Sequence, residues 1–492
     1  MTGMRANPSI RRIAAAVVVG MGTCTAAGLH AQAALADVQA GQTVERIVSP
    51  SDTAQRYAVY LPPGYSRERE WPILFAMDPR GRAMAPLRLF RPAAERLGWI
   101  IVSSYNSASD EKVSPNAAAL GAMVDDVQRG LSIDGRRLYL AGFSGTARES
   151  WFFAARLPDH VAGIIGFGAG TPDESPFLRM RAGEKPGFAF FGGAGDADFN
   201  HDEVRALDLR LDGTPLAHRT AGYPGPHSWA PEPVATEAME WMEVQAVKRG
   251  LAQRSAAWQD SMLAEATARA AAREAAEDRT GALVRYRGIV ADFDGLRDAS
   301  AAKAKVAALS ADRDVRDELA RAAHLATRDS ALAAHHHAVF EALAGTARPP
   351  STSALVRDLG IEALKRDALR TDDTLAALSA RRLLQSLLAY TTFYGPRGYL
   401  DNGDAPRALL LLSAARAIAS DDPEVCYATA TTQVKLAHAD DAFTALECLV
   451  AHPVDPAFLE RDPDLAPLRA DARFSALLAR IRAAAQPAAP AP

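Results

Sequence analysis

Between residues 57 and 250, apolar positions fall in short solid runs separated by stretches of helical spacing. Residues 57–61 form a first run, stopped by Pro62-Pro63-Gly64. Further runs at 72–77, 99–104, 137–143, 161–167, 187–191 and 217–223 are short enough for buried strands. Between them lie candidate helices at 90–97, at 117–130 (Leu120, Met123, Val124, Val127), at 147–157 and up to Leu211. Residues 237–249 read as an amphipathic helix with Ala238, Trp241 and Met242 inward and Lys248-Arg249-Gly250 as its stop. Strands alternating with helices predict a largely parallel sheet covered on both faces.

After Gly250 the pattern changes to alanine-rich, charge-laced helices with almost no strand signal. Residues 252–277 are one. Leu283, Tyr286, Ile289, Val290 and Phe293 mark the apolar face of the next, and 314–344 supplies one or two more. Arg348-Pro349-Pro350-Ser351 breaks the series. A chain of 492 residues exceeds one core. The expected division is a leader over 1–36, an α/β domain over 37–250, a helical domain over 251–485 and an Ala/Pro tail over 486–492.

Charge and composition narrow the class. A formal charge of −4 with 23% charged residues offers no basic footprint for nucleic acid. Arg5, Arg11 and Arg12 precede an apolar stretch from Ile13 to about Leu29, and no acidic residue occurs before Asp37. Ala31-Gln32-Ala33 and Ala34-Leu35-Ala36 are small-residue cleavage sites, so the leader reads as a secretory signal peptide. An uncleaved anchor is the competing reading, but the run is short and interrupted by glycine. Export to the periplasm or the extracellular space is therefore expected, with no membrane-spanning segment in the mature chain. Cys426 and Cys448 are then the cysteines that remain. If their helices form an antiparallel hairpin they can be bridged; otherwise they are small apolar residues in helix packing.

The chemistry concentrates after the run 138–143. Leu138-Tyr139-Leu140-Ala141 leads into Gly142-Phe143-Ser144-Gly145-Thr146, and a helical pattern follows. Strand, sharp turn with serine, then helix is what a nucleophile elbow requires, with the Gly145 N–H facing a developing oxyanion. A serine hydroxyl needs an imidazole to take its proton and a carboxylate to orient that imidazole. In parallel sheets such groups sit beyond the carboxyl ends of strands. The loop after Phe191 holds Asp196 and Asp198, both suitably spaced, and the loop after Tyr223 holds His227. Among the histidines of this region, His160 closes a helix, His201 lies in the acid loop and His218 sits in a strand pattern. His227 is the preferred base, and the order Ser, Asp, His is that of an α/β-hydrolase. The loop after Met77 should give a second oxyanion donor; Pro79 has no N–H, so Arg80 or Gly81 is the candidate. Tyr105, Asn106, Trp151 and Trp229 are candidate cleft-lining residues.

The run 139–145, the Gly195-x-x-Asp198-Phe199-Asn200 segment and Gly225-Pro226-His227-Ser228-Trp229 together resemble α/β-hydrolases of the esterase and polyhydroxybutyrate-depolymerase-like group, over roughly residues 45–250. The resemblance implies Ser144 as nucleophile, Asp198 as orienting acid and His227 as general base. The chain departs from that group at Thr146, where a small residue lets the helix pack closely on the elbow strand. The Thr146 side chain is expected to loosen or re-aim the turn.

Near the C-terminus, Ala408, Leu412 and Ala415 recur as Ala442, Leu446 and Leu449 at an offset of 34, the tetratricopeptide period. The helical half thus resembles a degenerate tetratricopeptide-type domain, offering a partner-binding surface, a cover for the substrate or a structural appendage. His335-His336-His337 resembles a metal box, but consecutive helical positions diverge by about 100°, which opposes shared coordination. No metal or cofactor is expected. The resulting expectation is an exported serine hydrolase acting on a small or polymeric carboxylic ester through an acyl-enzyme. The alternatives are a serine peptidase on the same sheet and a non-catalytic binding protein that uses the helical domain.

Overall fold

The computed structural model describes Leu35 and residues 37–485. The expected leader, apart from Leu35, and the tail 486–492 lie outside the described residues. By its contacts the chain divides into two compact units, one through Arg321 and one from Ala322.

The first unit holds an eight-stranded sheet: β1 (Thr43–Val48), β2 (Arg56–Tyr60), β3 (Trp71–Met77), β4 (Ile100–Ser104), β5 (Ile133–Phe143), β6 (Val161–Phe167), β7 (Ala189–Gly195) and β8 (His218–Tyr223). Its order is β1-β2-β4-β3-β5-β6-β7-β8. β2 runs antiparallel to both of its neighbours, and every pair from β4 to β8 is parallel. β1 is an addition to the predicted strands; only Ile47 and its start face inward, which leaves too weak an apolar run to read. Five helices cover the sheet: α1 (Met84–Leu97), α2 (Asn116–Gly130), α3 (Gly145–Arg156), α4 (His201–Leu211) and α5 (Glu232–Lys248). The side chains of β3 alternate between two cores. Ile73, Phe75 and Met77 join α2, α3 and α4, whereas Leu74 and Ala76 join α1 and α5. This is the α/β-hydrolase architecture, followed by an all-helical region.

α5 departs from the amphipathic pattern, because every residue from Glu237 to Ala246 is buried. Its three buried glutamates, Glu237, Glu240 and Glu243, recur at every third position and each meets arginine. Glu237 pairs with Arg285 at 2.7 Å, Glu240 with Arg96 and Arg269, and Glu243 with Arg254 at 2.8 Å and Arg137 at 3.2 Å. Burial raises the Glu237 carboxyl pKa, but the Arg285 charge and hydrogen bond prevail and hold it below the usual range. Charges that pattern reading assigns to solvent are here interior ion pairs. Through Arg269 and Arg285 they bind α5 to α6 (Ala256–Ala275) and α7 (Arg279–Phe293), which with α8 (Ser300–Ala311) belong to the sheet's unit. Gly250, the expected domain boundary, ends α5 with φ +70°.

α9 (Arg313–Gly345) runs across the division at 321 as one helix. In the second unit, Ala408, Leu412 and Ala415 are buried, as are Ala442, Leu446 and Leu449. His335 and His336 direct Nε2 at the carbonyls of Asp358 (2.9 Å) and Leu359 (3.1 Å), so both rings serve the C-terminal end of helix Thr352–Asp358. Cys426, in helix Pro423–Lys435, and Cys448, in the turn Glu447–Ala451, form a disulfide with Cα atoms 6.3 Å apart. The bond closes a loop over a sequence separation of 22. Replacing both cysteines with serine should lower the stability of this helical unit by about 3 kcal/mol. Urea unfolding should show it, with dithiothreitol bringing the wild-type chain to the same midpoint; an unchanged midpoint would refute the expectation.

Candidate active site

The elbow is built by close packing and strain. Ser144 joins β5 to α3 with φ +54° and ψ −127°, a conformation that costs a non-glycine residue of order 1–3 kcal/mol. The surroundings enforce it: the Ser144 N–H donates to the Phe167 carbonyl on β6 at 2.8 Å, and its carbonyl accepts from Ala147 at 3.0 Å. Gly142 permits the turn, since a Cβ there would lie 2.5 Å from the Ala147 nitrogen.

Thr146 corrects an expectation. It is fully buried, and its hydroxyl lies 2.7 Å from the Met77 carbonyl and 2.8 Å from that of Phe143. The same oxygen accepts the Phe143 N–H at 3.0 Å. Rather than loosening the turn, the side chain fastens the elbow to the end of β3.

Ser144, His227 and Asp198 lie in one hydrogen-bonded row. His227 Nε2 is 2.9 Å from Ser144 Oγ, and His227 Nδ1 is 2.9 Å from Asp198 Oδ1. Asp198 is fully buried and also accepts the Asn200 N–H at 2.8 Å. The imidazole is sandwiched between Phe143 and Phe199, with ring centroids 4.5 and 4.1 Å away. Asp196 stands outside the row: its Oδ1 accepts the Gly225 N–H at 3.0 Å and so fixes the root of the loop that carries His227. His201 lies 3.3 Å from Asp202, and His218 directs Nδ1 at the Leu216 carbonyl, 3.0 Å away.

The Gly145 N–H occupies the first position of α3 and has no acceptor within the helix. A Cβ at Gly145 would come within 2.4 Å of Ser109 Cβ, so the loop after β4 leans on the elbow. The expected second donor does not stand as read from sequence. The Arg80 N–H donates to Asp78 Oδ1 at 2.9 Å, and the Gly81 N–H donates to the Asp78 carbonyl at 3.1 Å. Asp78, at the end of β3, folds the turn back on itself and takes both amides.

The proposed cleft residues separate. Trp151, on α3, is buried in the core with Phe190 and Phe188 centroids 4.6 and 5.6 Å away. Tyr105 donates its hydroxyl to the Glu45 carbonyl at 2.8 Å, and Asn106 accepts the Arg56 N–H at 2.7 Å, so both tie loops to β1 and β2. Trp229 packs 5.7 Å from Phe143 and donates its indole N–H to Asp78 Oδ2 at 2.8 Å. Asp78 escaped sequence reading altogether. The available signal is an acid directly after a strand, followed by Pro-Arg-Gly, a segment whose spacing points only to its amides. Burial raises the Asp78 pKa; bonds from Arg82, Trp229 and the Arg80 N–H outweigh it and hold the carboxyl below the usual range.

No protein-family model matches the chain, and no curated protein does. Solved structures do. One is a substrate-bound fluorophosphonate-binding serine hydrolase of Staphylococcus aureus, with 14% identity and a TM-score of 0.34 over 41% of this chain and 98% of the other. Another is an S-formylglutathione hydrolase of Agrobacterium tumefaciens, with 14% identity and a TM-score of 0.31 over 42% and 93%. A third is a feruloyl esterase module of Clostridium thermocellum complexed with sinapinate, with 16% identity and a TM-score of 0.34 over 41% and 86%. The fold class stands on the strand order and the elbow, not on these likenesses.

Proposed function

We propose that this protein is an exported serine hydrolase that cleaves carboxylic esters through an acyl-enzyme. The observation that carries the reading is the row from Ser144 Oγ through His227 to Asp198, set on a strained elbow. In this reading His227 Nε2 takes the hydroxyl proton as Oγ attacks the ester carbonyl. The Gly145 N–H, at the positive end of α3, stabilises the oxyanion. Collapse expels the alcohol, which receives its proton from the imidazolium. Water then attacks the acyl-enzyme by the same route in reverse. Asp198 keeps the proton on Nδ1, so that Nε2 stays an acceptor facing Ser144.

Export is supported by the leader pattern and by the Cys426–Cys448 bond, which persists in an oxidising compartment. Of the two cleavage sites, the one ending at Ala33 keeps Leu35, which is 2% exposed and packs against Gly130. The tetratricopeptide-like reading of the helical half, with a protein partner or substrate cover there, remains part of the proposal. The non-catalytic alternative leans on Thr146, whose bonds instead fasten the elbow.

A fluorophosphonate probe should label the purified protein at a single site, and peptide mass mapping should place the adduct on Ser144. A p-nitrophenyl ester should be turned over, and cleavage of matched peptide amides at comparable efficiency would instead favour the peptidase. Absence of labelling in folded protein, or an adduct on another serine, would reject the proposed nucleophile.

A further inference from the structure

β3 and β8 lie four strands apart in the sheet, about 19 Å at ordinary strand spacing. The loop that leaves β8 at Tyr223 nevertheless reaches the end of β3. It is fixed at its root by the Gly225 N–H bond to Asp196, and the Tyr223 hydroxyl reaches past His227 to donate to the Ser228 carbonyl at 3.1 Å. At its far end the Trp229 indole donates to Asp78 Oδ2. His227 lies between these two anchors, above Ser144. The loop is therefore an arch over the carboxyl ends of the strands, and Asp78 is its far footing.

We propose that Asp78 is a positioning residue of the hydrolytic site, bracing through Trp229 the arch that holds His227 against Ser144. The inference rests on the proposed Ser144–His227–Asp198 chemistry. Asp78 is suited to the task because its carboxylate is held from several sides. It is fully buried, and Arg82 grips it from Nε at 3.0 Å and from Nη2 at 2.9 Å. Its backbone carbonyl accepts the Ser107 hydroxyl at 2.8 Å. The same carboxylate takes the Arg80 N–H, so one group sets both the turn after β3 and the reach of the base loop. The Trp229 ring adds edge contacts to Phe90 and Phe167, at 6.0 and 6.2 Å, and a tilted contact to Phe143, beside the imidazole. An indole aimed at a carboxylate gives this apolar packing a direction that ring contacts alone do not supply.

The test uses the full-length protein with Trp229→Phe, Asp78→Asn, the double variant and Ser144→Ala as control. Trp229→Phe keeps a ring in place and deletes the donor. Each single variant should lose about 10- to 100-fold in kcat with little change in KM, because displacement of the base impairs the chemical step rather than binding. The double variant should be no worse than the poorer single one. Trp229→Phe deletes the donor, and Asp78→Asn leaves one oxygen for donors that now occupy two, so that an oxygen kept by Arg80 and Arg82 Nε turns the amide nitrogen toward Trp229. If Asp78→Asn does not fold, Trp229→Phe carries the test alone. Wild-type kcat in Trp229→Phe, losses confined to KM, or losses that multiply in the double variant would overturn the brace while an inactive Ser144→Ala leaves the hydrolytic reading standing. An active Ser144→Ala would remove that reading, and the brace with it.

Discussion

Replacing Ser144 with alanine should reduce ester hydrolysis to near background, a loss on the order of 10⁶-fold in kcat, the scale seen when a serine hydrolase loses its nucleophile. The size follows from the geometry. Ser144 Oγ is the atom placed 2.9 Å from His227 Nε2, and its removal deletes the proposed covalent route altogether. What remains is the Gly145 N–H and whatever binding the cleft provides. Folding should survive, because the hydroxyl is engaged with His227, while the backbone bonds of Ser144 to Phe167 and Ala147 persist in alanine. Three measurements decide it together: steady-state hydrolysis of a p-nitrophenyl ester, fluorophosphonate labelling and thermal unfolding. Near-wild-type turnover in a folded variant would transfer the chemistry elsewhere.

How much of this site could be read from sequence depends on the range of the interaction. The elbow is local: Tyr139 to Thr146 contains its strand, its turn and the start of its helix, so pattern alone announces it. The order of serine, acid and histidine is also linear information. Thr146 is local too, yet its effect is set by the Met77 carbonyl, which belongs to a different strand. Charge on one face of a helix reads as solvent exposure, and Glu237, Glu240 and Glu243 defeat that rule because their arginines come from elsewhere in the fold. Arg80 and Gly81 show the same limit. Their amides sit in the expected loop, but Asp78 takes them, and no spacing rule tells whether an N–H is already bonded. Asp78 itself makes its most informative contact with Trp229, a residue 151 positions away.

The acid offers the sharpest discrimination, because two aspartates share one loop and do different work. Asp198→Asn should lower kcat about 10⁴-fold, as loss of the correct imidazole tautomer does in serine proteases. Asp198 Oδ1 accepts from His227 Nδ1 and from the Asn200 N–H. An asparagine can keep its oxygen toward Asn200 only by turning its amide toward the rest of the cavity, or it can present N–H to His227. In the second arrangement Nδ1 becomes the acceptor, the proton moves to Nε2, and the imidazole can no longer take a proton from Ser144. In the first the imidazolium forms without a carboxylate charge beside it. Both arrangements penalise the transition state more than substrate binding, so the loss should appear in kcat with KM little affected. Asp196→Asn is different in kind. Its carboxylate accepts the Gly225 N–H at the root of the arch, and an asparagine oxygen can accept the same bond. A cost of about 1 kcal/mol, or roughly fivefold in rate, is the scale for weakening one such bond. The two variants, assayed side by side with the same p-nitrophenyl ester, should therefore differ by about three orders of magnitude. Equal losses would mean that the arch and the tautomer cannot be separated, and the reverse ranking would make Asp196 the residue that orients the base.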